Sequence, residues 1–586
     1  MAQTSNGVIA GALDELGDLY ELDGAVIHRV VAYRNAAKAV RDSPVSVADL
    51  ALAGRVTELA GIGATLEQKI LDLVRTGRIP AAERLRERFP PGVLEMVGLP
   101  GLGPKRARRL FEELGIDSLA SLGDAARGER LRKVRGFGEK FEQSVLAAIA
   151  AGTDASPRRR VPLDRALAIG ELVIGELRDR DRELGSEPPA QIELAGSVRR
   201  RAESIKDLDI VIGAADPQAL LDALGGLEAI ESAQRTSATA ARGVTHTGMV
   251  VELRAVAPDQ FGNLLQHMTG SKQHNAALRE RAVRMGLHIS EYGVVDDATG
   301  ETRRCPAEEE VYALVGLQYI EPELRENRDE LRQAAAGAFP RLIEQADIRG
   351  DLHCHTVASD GRETILEMGR SAAARGYEYL AITDHSATHG FGNDVSPDEL
   401  RAQIEKVHDA DAKLPGIRLL AGSEVNILPD GSPDYDDDLL AELDWVIASV
   451  HTSFGMSGDA MTDRIVAATR HPLIDAIGHP TGRMIGRREP YAVDIDAVVA
   501  AAADSGTLLE INSNPNRRDL SEVHARAAAH GGAGIVINSD AHSSRGFDVL
   551  RYGIWTARRA GLHPAAVLNT LPWSELAGTI KRSRAR

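Results

Sequence analysis

The 586-residue sequence contains little cysteine and no long apolar run. Its two cysteines, Cys305 and Cys354, are too few for a disulfide scaffold. No uninterrupted apolar stretch reaches the ~18 residues that a membrane span requires. The first residues show no basic segment followed by an apolar one, which argues against secretion. We therefore predict a cytoplasmic, soluble protein of several domains, because domains typically contain ~100–200 residues.

The sequence also lacks a net positive charge. Its 69 basic and 86 acidic residues leave a formal charge of −17, which by itself argues against a polyanionic partner. Local clusters change that expectation, because an average over a long chain hides them. Basic residues cluster at 105–109, 158–160 and 199–201, and acidic residues concentrate toward the C-terminal third, as at 434–438. This asymmetry suits a molecule that binds nucleic acid with one half and metal cations with the other.

Changes of pattern divide the chain into regions. The first ~150 residues are typical of short helices separated by glycines. A stretch of linker composition follows at 152–162. Helical segments then alternate with β-like runs, which predicts an α+β region; the runs are Gln191–Ala195, Leu208–Ile212 and Met249–Val256. We expect a charged helical connector from Pro322 to Ala346.

Beyond residue 346, seven short apolar runs each end in polar residues. They are Gly350–His355, Tyr379–His385, Arg418–Glu424, Trp445–His451, Ile474–His479, Leu508–Asn512 and Gly534–Asp540. Helix-patterned segments such as Ile365–Arg375 and Pro397–Lys413 separate most of them, which predicts a parallel β/α barrel. The active site of such a barrel lies at the C-terminal ends of its strands.

Three N-terminal segments share a helix, a Gly-x-Gly turn and a second helix. Their glycines, with one adjacent lysine, are Gly61, Gly63, Gly101, Gly103, Lys105, Gly136 and Gly138. Glycine permits a tight turn that a phosphate can approach, and the amide groups of the following helix can bind it. A single turn of this kind is equally well explained as a helix C-cap, but three copies favour DNA binding. These segments resemble helix-hairpin-helix motifs, which bind the phosphate backbone without sequence specificity.

Two carboxylates lie on one predicted strand in the middle of the chain. Asp207 and Asp209 are two residues apart and therefore project from the same face. Oxygen-only ligands suit Mg²⁺, which stabilises phosphoryl transfer. Gly196 and Ser197 precede them and, with Arg200, form a candidate site for a terminal phosphate. The alternative is a solvated acidic strand end.

This segment resembles the palm of the nucleotidyltransferases, and specifically of the β-like family X DNA polymerases. Thr269-Gly270-Ser271 and the following Asn275 and Arg279 resemble the family's nucleotide-binding region. The resemblance implies that Gly270 and Ser271 lie beside the incoming nucleotide, Asn275 faces its base and Arg279 faces the template. It also places Lys69 at the lyase lysine of the small template-binding domain, although a solvated lysine on a helix face is the simpler interpretation.

The sequence departs from the family pattern in three respects. Glu252 stands where the resemblance implies a third metal-binding aspartate, and its extra methylene matters because positioning in catalysis is sensitive to ~1 Å. His267 and Met268 replace an aromatic pair, and Thr65 replaces a phosphate-binding lysine. We expect Asp207, Asp209 and Glu252 to hold Mg²⁺ or Mn²⁺ for strand extension, and a domain that binds DNA without polymerising remains an alternative.

Nine potential metal ligands follow the strand-like runs of the C-terminal region. They are His353, His355, Asp360, His385, Glu424, His451, His479, Asp540 and His542. Mixed imidazole and carboxylate ligands fit Mn²⁺, Zn²⁺ or Fe²⁺. Nine ligands suggest two or three ions that share a bridging carboxylate, for which Glu424 is the candidate. Cys354 lies between two ligands on the opposite strand face, and we predict it to be a small buried residue.

This set resembles the polymerase and histidinol phosphatase (PHP) family, which implies a distorted seven-stranded β/α barrel that hydrolyses phosphoesters. A β-like polymerase followed by a PHP domain is the layout of bacterial family X polymerases. The resemblance implies gap filling in base excision repair and a 3′–5′ exonuclease, with gapped DNA and deoxynucleoside triphosphates as partners of a monomer. The alternatives are a DNA end-processing nuclease with a weak polymerase site and a small-molecule phosphatase.

The predicted organisation has six parts, which combine the changes of pattern with the domains that the resemblances imply. They are a small helical DNA-binding domain (1–78), a helix-hairpin-helix domain (79–152), a nucleotidyltransferase palm (153–258), a thumb (259–325), a helical linker (326–345) and a PHP domain (346–586).

Overall fold

The computed structural model describes residues 4–99, 101–151, 160–390 and 392–581. Most of the linker-like stretch predicted at 152–162 lies outside the described residues. The described chain forms two compact units. The first comprises the described parts of Met1–Arg159, Arg165–Leu194 and Lys206–Phe261; the second comprises Arg160–Asp164, Ala195–Ile205 and the described part of Gly262–Arg586. Among the described residues, no helix combines the length and apolarity needed to cross a membrane.

The N-terminal region is helical, as its glycine-separated pattern predicts. Its helices are α1 (Asn6–Leu22), α2 (Ile27–Asp42), α3 (Val47–Leu52), α4 (Ala64–Thr76), α5 (Pro80–Arg86), α6 (Pro91–Val97), α7 (Pro104–Leu114), α8 (Leu119–Arg127) and α9 (Glu139–Ala151). Local signals set several of the boundaries. The hydroxyl groups of Ser5 and Ser46 accept hydrogen bonds from the first turns of α1 and α3, and prolines begin α5, α6 and α7. The buried leucine, isoleucine and alanine side chains of these helices form one continuous core.

A mixed sheet follows in the first unit, after the long helix α10 (Leu163–Leu184). Its strands, with the helix between them, are β2 (Gln191–Leu194), β4 (Asp207–Gly213), α12 (Gln218–Ala223), β5 (Ile230–Ser237), β6 (Ala240–Thr245) and β7 (Val250–Val256). The strand order is β2-β4-β7-β6-β5, in which only β4 and β7 are parallel. The three β-like runs predicted between 191 and 256 are therefore strands. Gly170 of α10 permits close packing, because a Cβ there would lie 2.8 Å from Leu194.

The second unit begins with short elements around residues 160–205 and continues from residue 262. Its elements before the barrel are β1 (Val161–Pro162), α11 (Gly196–Arg199), β3 (Ser204–Ile205), α13 (Phe261–Thr269), α14 (Lys272–Arg284), β8 (Leu287–Ser290), β9 (Gly293–Asp296), β10 (Thr302–Arg303), α15 (Glu308–Leu314) and α16 (Glu330–Ala335). The connector expected to be helical from Pro322 to Ala346 is α-helical only over α16. Gly337 takes the left-handed backbone conformation just after α16, and Pro340 follows, so the helix does not continue.

Seven parallel strands form the C-terminal barrel and fall on the seven predicted runs. They are β11 (Gly350–Cys354), β12 (Tyr379–Ile382), β13 (Arg418–Asn426), β14 (Trp445–Ser449), β15 (Ala476–Ile477), β16 (Leu508–Asn512) and β17 (Ile535–Asn538), paired in chain order. The segments that directly follow the first and last strands also meet, because the His355 amide donates to the Ala541 carbonyl at 2.8 Å. The fold is the predicted distorted β/α barrel; the short β15 is one of its irregularities.

Helices follow the strands around the barrel. They are α17 (Ile365–Ala374), α18 (Pro397–Asp411), α19 (Asp437–Leu440), α20 (Gly458–Thr469), α21 (Ile495–Ser505), α22 (Glu522–His530), α23 (Leu550–Ala560) and α24 (Trp573–Leu576). Capping boxes begin two of them: the Thr364–Glu367 pair begins α17 and the Ser396–Glu399 pair begins α18. Both helices match the helical segments predicted from the sequence.

Alternate residues of the strands divide the barrel core into two layers. One set packs against the helices, and the other forms an apolar cluster that includes Tyr379, Leu420, Trp445, Leu508 and Val536. On each strand, the residues two and four positions after a member of this apolar cluster point to the same face and lie nearer the C-terminal end of the strand. On β13 this places Glu424 four residues after Leu420, above the apolar cluster. The fold therefore brings polar side chains together at one end of the barrel.

Candidate metal centre and polymerase site

Glu424 lies at the centre of the C-terminal barrel and is surrounded by five histidines. Its Oε2 lies 3.4 Å from His353 Nε2, 3.6 Å from His355 Nε2 and 2.9 Å from His385 Nδ1. Its Oε1 lies 3.3 Å from His451 Nε2 and 3.0 Å from His479 Nε2. A carboxylate whose two oxygens face different imidazole groups has the geometry of a bridging ligand. This arrangement supports the role predicted for Glu424.

Asp360, Asp540 and His542 complete the cluster on one side. The Asp540 carboxylate lies 3.1 Å from His355 Nε2, and the Asp360 carboxylate lies 3.1 Å from His542 Nε2 and 3.7 Å from His385 Nε2. Ligand atoms of His355, Asp360, His385 and His542 all lie within 4.8 Å of one another, as do those of two overlapping sets, His353–His355–Asp540 and His385–Glu424–His451. The structure thus brings all nine predicted ligands to one place.

The donor atoms at this site fit divalent metal ions. Nε2 of His353 and both ring nitrogens of His355 are buried and make no hydrogen bond within the described part of the chain, although carboxylate oxygens lie 3.1–3.8 Å away. Buried polar atoms are normally hydrogen-bonded, so donors that converge without such bonds indicate a shared cation. Imidazole and carboxylate donors in this number suit two or three ions.

The protonation states of two ligands, Glu424 and His355, also favour cation binding. Burial by itself would raise the pKa of Glu424, but the surrounding imidazoles, His451 foremost, hold that pKa well below 4.5. Burial, together with His385 and His542, lowers the pKa of His355 to about 4. The central carboxylate is therefore ionised and His355 is neutral at pH 7, which are the forms that bind metals.

Two ligands occupy strained backbone positions at the ends of strands. His479 has φ +28° and Asp540 has φ +56°, in the left-handed region that non-glycine residues rarely adopt. Such strain is concentrated at functional sites, where the surrounding structure maintains it. Cys354, in contrast, packs in the apolar layer beneath the helices, as predicted.

Two buried residues beside the metal centre were not predicted from the sequence. Glu510 accepts a hydrogen bond at 2.8 Å from a ring nitrogen of His353, Nδ1, and one at 2.7 Å from the His479 amide. His389 stacks on His385 with ring centroids 4.3 Å apart and lies 2.6 Å from Asp394. The available signal for Glu510 was a charged residue inside the apolar run Leu508–Asn512, which is unusual unless it is partnered.

The three palm carboxylates lie on one face of the sheet in the first unit. Asp209 pairs directly with Glu252 across the parallel strands β4 and β7, and Asp207 is two residues before Asp209. Leu208 and Leu253 are buried on the other face. Glu252 also faces Arg242, whose Nε lies 3.8 Å from its carboxylate. The three carboxylates share a face, but in the described part of the chain they are not among the groups whose ligand atoms converge within 4.8 Å.

The predicted nucleotide-binding residues lie in the second unit. Arg200 Nη1 donates to the Thr269 carbonyl at 2.6 Å, and a Cβ added to Gly270 would lie 3.2 Å from the same nitrogen. Gly196 and Gly270 both take positive φ, +61° and +68°, which favours glycine at these turns. Ser197 lies in α11, and Ser271 caps α14 by accepting from the His274 amide at 3.2 Å. The structure therefore brings the Arg200 side chain to the Gly270 turn.

Asn275 and Arg279 occupy successive turns of α14 and both contact His267. Asn275 Nδ2 donates to the His267 carbonyl at 2.8 Å, and Arg279 Nη2 lies 2.9 Å from His267 Nδ1. The histidine that departs from the family pattern thus touches both of the residues to which the resemblance assigns base and template contacts.

The three glycine turns adopt one conformation in the first unit. Gly61, Gly101 and Gly136 have φ of +84°, +78° and +90°, and helices α4, α7 and α9 begin directly after Gly63, Gly103 and Gly138. A Cβ at Gly63, Gly103 or Gly138 would meet no atom within 4 Å. The turns are therefore open enough for a phosphate to approach the amides at the start of each helix. Lys105 is exposed in the first turn of α7, and Lys69 is half-buried on α4.

Family models of known proteins match the helical hairpins, the thumb region and the C-terminal barrel of this chain. Four family descriptions match the chain: "Helix-hairpin-helix domain" over residues 4–79, "SAM-like Helix-hairpin-helix tandem" over 93–151, "DNA polymerase beta thumb" over 264–326 and "PHP domain" over 351–514. DNA-binding hairpins, a polymerase thumb and a PHP barrel define the class of DNA polymerases that carry a phosphoesterase domain.

The relatives identify the family within that class. The chain is 35% identical over 579 residues to "DNA polymerase/3′-5′ exonuclease PolX" of Bacillus subtilis, which covers 97% of this chain and 98% of that protein. The chain belongs to the PolX family. Its C-terminal part is also 35% identical over 240 residues to a "Probable phosphatase" of Thermoanaerobacter sp., covering 38% of this chain and 89% of that protein. A "Probable phosphatase" of Shewanella oneidensis is 34% identical over 216 residues, covering 34% of this chain and 79% of that protein.

Proposed function

We propose that this protein is a template-directed DNA polymerase and a 3′–5′ exonuclease that fills short gaps during base excision repair. The observation that carries the exonuclease half is the convergence of nine ligand side chains around Glu424. The polymerase half is supported by the shared face of Asp207, Asp209 and Glu252 and by the contact between Arg200 and the Gly270 turn. The similarity to PolX along nearly the whole chain supports the combination.

For the polymerase reaction, we propose the roles that the resemblance to the family X polymerases implies. Asp207, Asp209 and Glu252 would hold Mg²⁺ or Mn²⁺. Gly196, Ser197 and Arg200 would bind the triphosphate, and Gly270 and Ser271 would lie beside the sugar. Asn275 would contact the base, and Arg279 the template strand. Lys69 is a candidate for the lyase lysine. The simpler interpretation is that it is an ordinary half-buried lysine on a helix face.

At the barrel, the nine ligands would hold two or three Mn²⁺, Zn²⁺ or Fe²⁺ ions. Bound there, such ions supply a nucleophile at neutral pH and neutralise the charge that develops on a phosphoester. The protein itself fixes the ligand directions: Glu510 holds His353 and the His479 amide. The hairpins containing Gly61, Gly101 and Gly136 would bind the DNA backbone, so DNA binding should weaken with added salt.

One observation favours a second candidate, a DNA end-processing nuclease with a weak polymerase site. Glu252 is longer than aspartate and faces Arg242, and the palm carboxylates do not converge to the degree that the barrel ligands do. The cation that draws such carboxylates together offsets their repulsion, so added Mn²⁺ or Mg²⁺ is the relevant variable.

The test uses gapped DNA with a labelled primer, all four deoxynucleoside triphosphates, and Mg²⁺ or Mn²⁺. The proposed function predicts template-dependent extension of the primer, and shortening of its 3′ end when nucleotides are omitted. Shortening without any templated extension under either metal would support the end-processing nuclease. Neither extension nor shortening, with hydrolysis of small phosphomonoesters only, would support a phosphatase.

A further inference from the structure

The loop that carries Arg200 is bound by residues of the C-terminal barrel. Arg559 Nη1, on α23, donates to the Arg200 carbonyl at 2.6 Å. Arg518 Nη1, just before α22, donates to the next carbonyl, that of Arg201, at 3.1 Å. The Arg201 guanidinium lies over the Trp555 ring, 4.4 Å from its centroid. Two backbone contacts and one side-chain contact therefore hold this loop against α23 and the segment before α22.

A second set of contacts joins the same side chains through carboxylates. Glu326 Oε1 lies 3.1 Å from Arg200 Nε and 3.0 Å from Arg559 Nη1. Glu522 Oε1 lies 3.1 Å from Arg559 Nη2 and 3.3 Å from Arg328 Nη2. The side chain of Arg559 is only 5% exposed, and those of Arg200, Glu326 and Glu522 are 15–19% exposed. Removing one member would leave buried charges without their partner, which is costly.

These contacts end at the predicted nucleotide pocket. The Arg200 guanidinium donates through Nε to the Glu326 carboxylate. Through Nη1 it donates to the carbonyl of Thr269, the residue before Gly270, at 2.6 Å. Arg559 therefore reaches Arg200 by two routes: directly through the Arg200 carbonyl, and through Glu326 to the guanidinium. No residue of the metal centre takes part in either route.

We infer that Arg559, a residue of the phosphoesterase domain, is a positioning residue of the polymerase reaction: it fixes the loop and the guanidinium that bind the nucleoside triphosphate. The inference rests on the proposed polymerase function. Its physical basis is that a flexible cationic loop loses conformational entropy when it binds a phosphate, whereas a loop that is already held does not. Nucleotide affinity should thus depend on a side chain that contacts neither the nucleotide nor the metal centre.

The test compares single-nucleotide insertion on gapped DNA by the full-length wild type and by full-length Arg559→Met. KM for the deoxynucleoside triphosphate and kcat are determined separately. Because a hydrogen bond to a charged group contributes ~1.5–3 kcal/mol, we expect KM to rise about ten- to hundredfold and kcat to change much less. The rate of 3′-end shortening should equal that of the wild type, which also shows that the barrel is folded. Arg559→Lys, which retains the charge and a donor, should restore part of the lost affinity.

Arg375→Met is the matched control, because it removes the same charge from a partly exposed barrel residue that pairs with Asp548 at 2.8 Å. It should leave KM unchanged. A wild-type KM in Arg559→Met, with shortening intact, would overturn the inference.

Amide hydrogen exchange of residues 196–205 separates this inference from the proposed function. Exchange should be faster in Arg559→Met than in the wild type or in Arg375→Met. If the wild type extends no primer, the proposed function fails while exchange still decides whether Arg559 holds the loop. Unchanged protection in Arg559→Met would refute the positioning role even in an active polymerase.

Discussion

Glu510 lies on the one barrel strand that supplies none of the nine ligands. Its carboxylate accepts from the His353 ring, the His479 amide and the Asn538 side chain, at 2.8, 2.7 and 3.0 Å. A hydrogen bond to one imidazole nitrogen fixes the tautomer and direction of the other, which faces the metal. Glu510 therefore determines how two ligands from other strands are presented.

We expect Glu510→Gln to weaken metal binding by about ten- to hundredfold, because outer partners of ligating histidines have effects of this size. The amide retains the volume of the carboxylate but presents an NH₂ group to at least one of the donors that now face a carboxylate oxygen. Metal titration of the metal-free protein measures the effect. Glu367→Gln, which changes an exposed helix-cap glutamate of the same barrel, is the control. Equal affinity of Glu510→Gln and the wild type would contradict the assignment.

Glu308 is a buried anion of the thumb. It lies 2.6 Å from Arg199 and 2.7 Å from Arg325, and it is 4% exposed. Burial by itself would raise the pKa of Glu308, but the two guanidinium groups, Arg325 first, lower it from 4.5 to about 2. A carboxylate with a lower pKa in the folded state contributes stability that is complete above pH ~4.5 and is lost as the pH falls toward ~2.

Glu308→Gln should therefore lower the free energy of unfolding at pH 7 by about 3 kcal/mol, because it leaves two guanidinium groups without their anion. The difference from the wild type should shrink as the pH falls from about 4.5 toward 2. Urea denaturation followed by tryptophan fluorescence is suited to this measurement, since Trp445, Trp555 and Trp573 all lie in the same unit as Glu308. A difference that stays constant over this pH range would show that the ion pair is not its source.

Among the elements, the three glycine hairpins share one local structure but differ in the hydrogen bonds that stabilise it. In the first, Glu67 accepts a hydrogen bond from the Val56 amide at 3.0 Å, and in the third, Glu142 accepts one from the Arg132 amide at 2.9 Å. Both glutamates lie four residues after the second glycine of their turn. The second hairpin has Ala107 at this position and carries instead an exposed Lys105 at the start of its helix.

We expect Lys105→Glu to reduce affinity for gapped DNA several-fold and to lower the steepness of the salt dependence by about one counterion, because one phosphate contact is lost. Fluorescence anisotropy at several salt concentrations measures both quantities. Arg84→Glu makes the same charge reversal at an exposed position of α5, outside the three Gly-x-Gly turns. If the two variants bind alike, the second hairpin is not a phosphate contact.

The whole molecule carries two groups of candidate metal ligands with different donor types. The barrel cluster contains histidines and carboxylates from widely separated strands, and the palm has carboxylates only. Imidazole donors select transition metals, whereas oxygen donors suit Mg²⁺, so the two clusters should be separable by mutation.

Asp207→Ala combined with Asp209→Ala should abolish primer extension and leave 3′-end shortening intact. His353→Ala combined with His355→Ala should do the reverse and reduce the metal content of the purified protein. Extension, shortening and metal analysis of both variants, with the wild type alongside, check the expectation. Loss of both activities in either variant, or an unchanged metal content in the histidine variant, would argue against two separate centres.

Much of this protein follows from local sequence. The seven strands were predictable because each is a short apolar run that ends in polar residues. Six of the nine candidate ligands end such a run, and His353, Asp360 and His542 lie within five residues of a run end. The palm carboxylates followed from the two-residue period of a strand. The prediction of a helical connector was wrong, because charge and composition alone do not specify a helix. Gly337 and Pro340 follow α16 and prevent the helix from continuing.

The sequence by itself thus determined the elements, their order and the type of donor at each strand end, because these depend on residues near each other in the chain. Only the tertiary structure decided which donors face one another around Glu424, that Glu510 holds two of them, and that Arg559 contacts the Arg200 loop 359 residues earlier. Such contacts depend on how a sheet closes and how helices dock. Sequence periodicity specifies the face of an element but not what lies opposite that face.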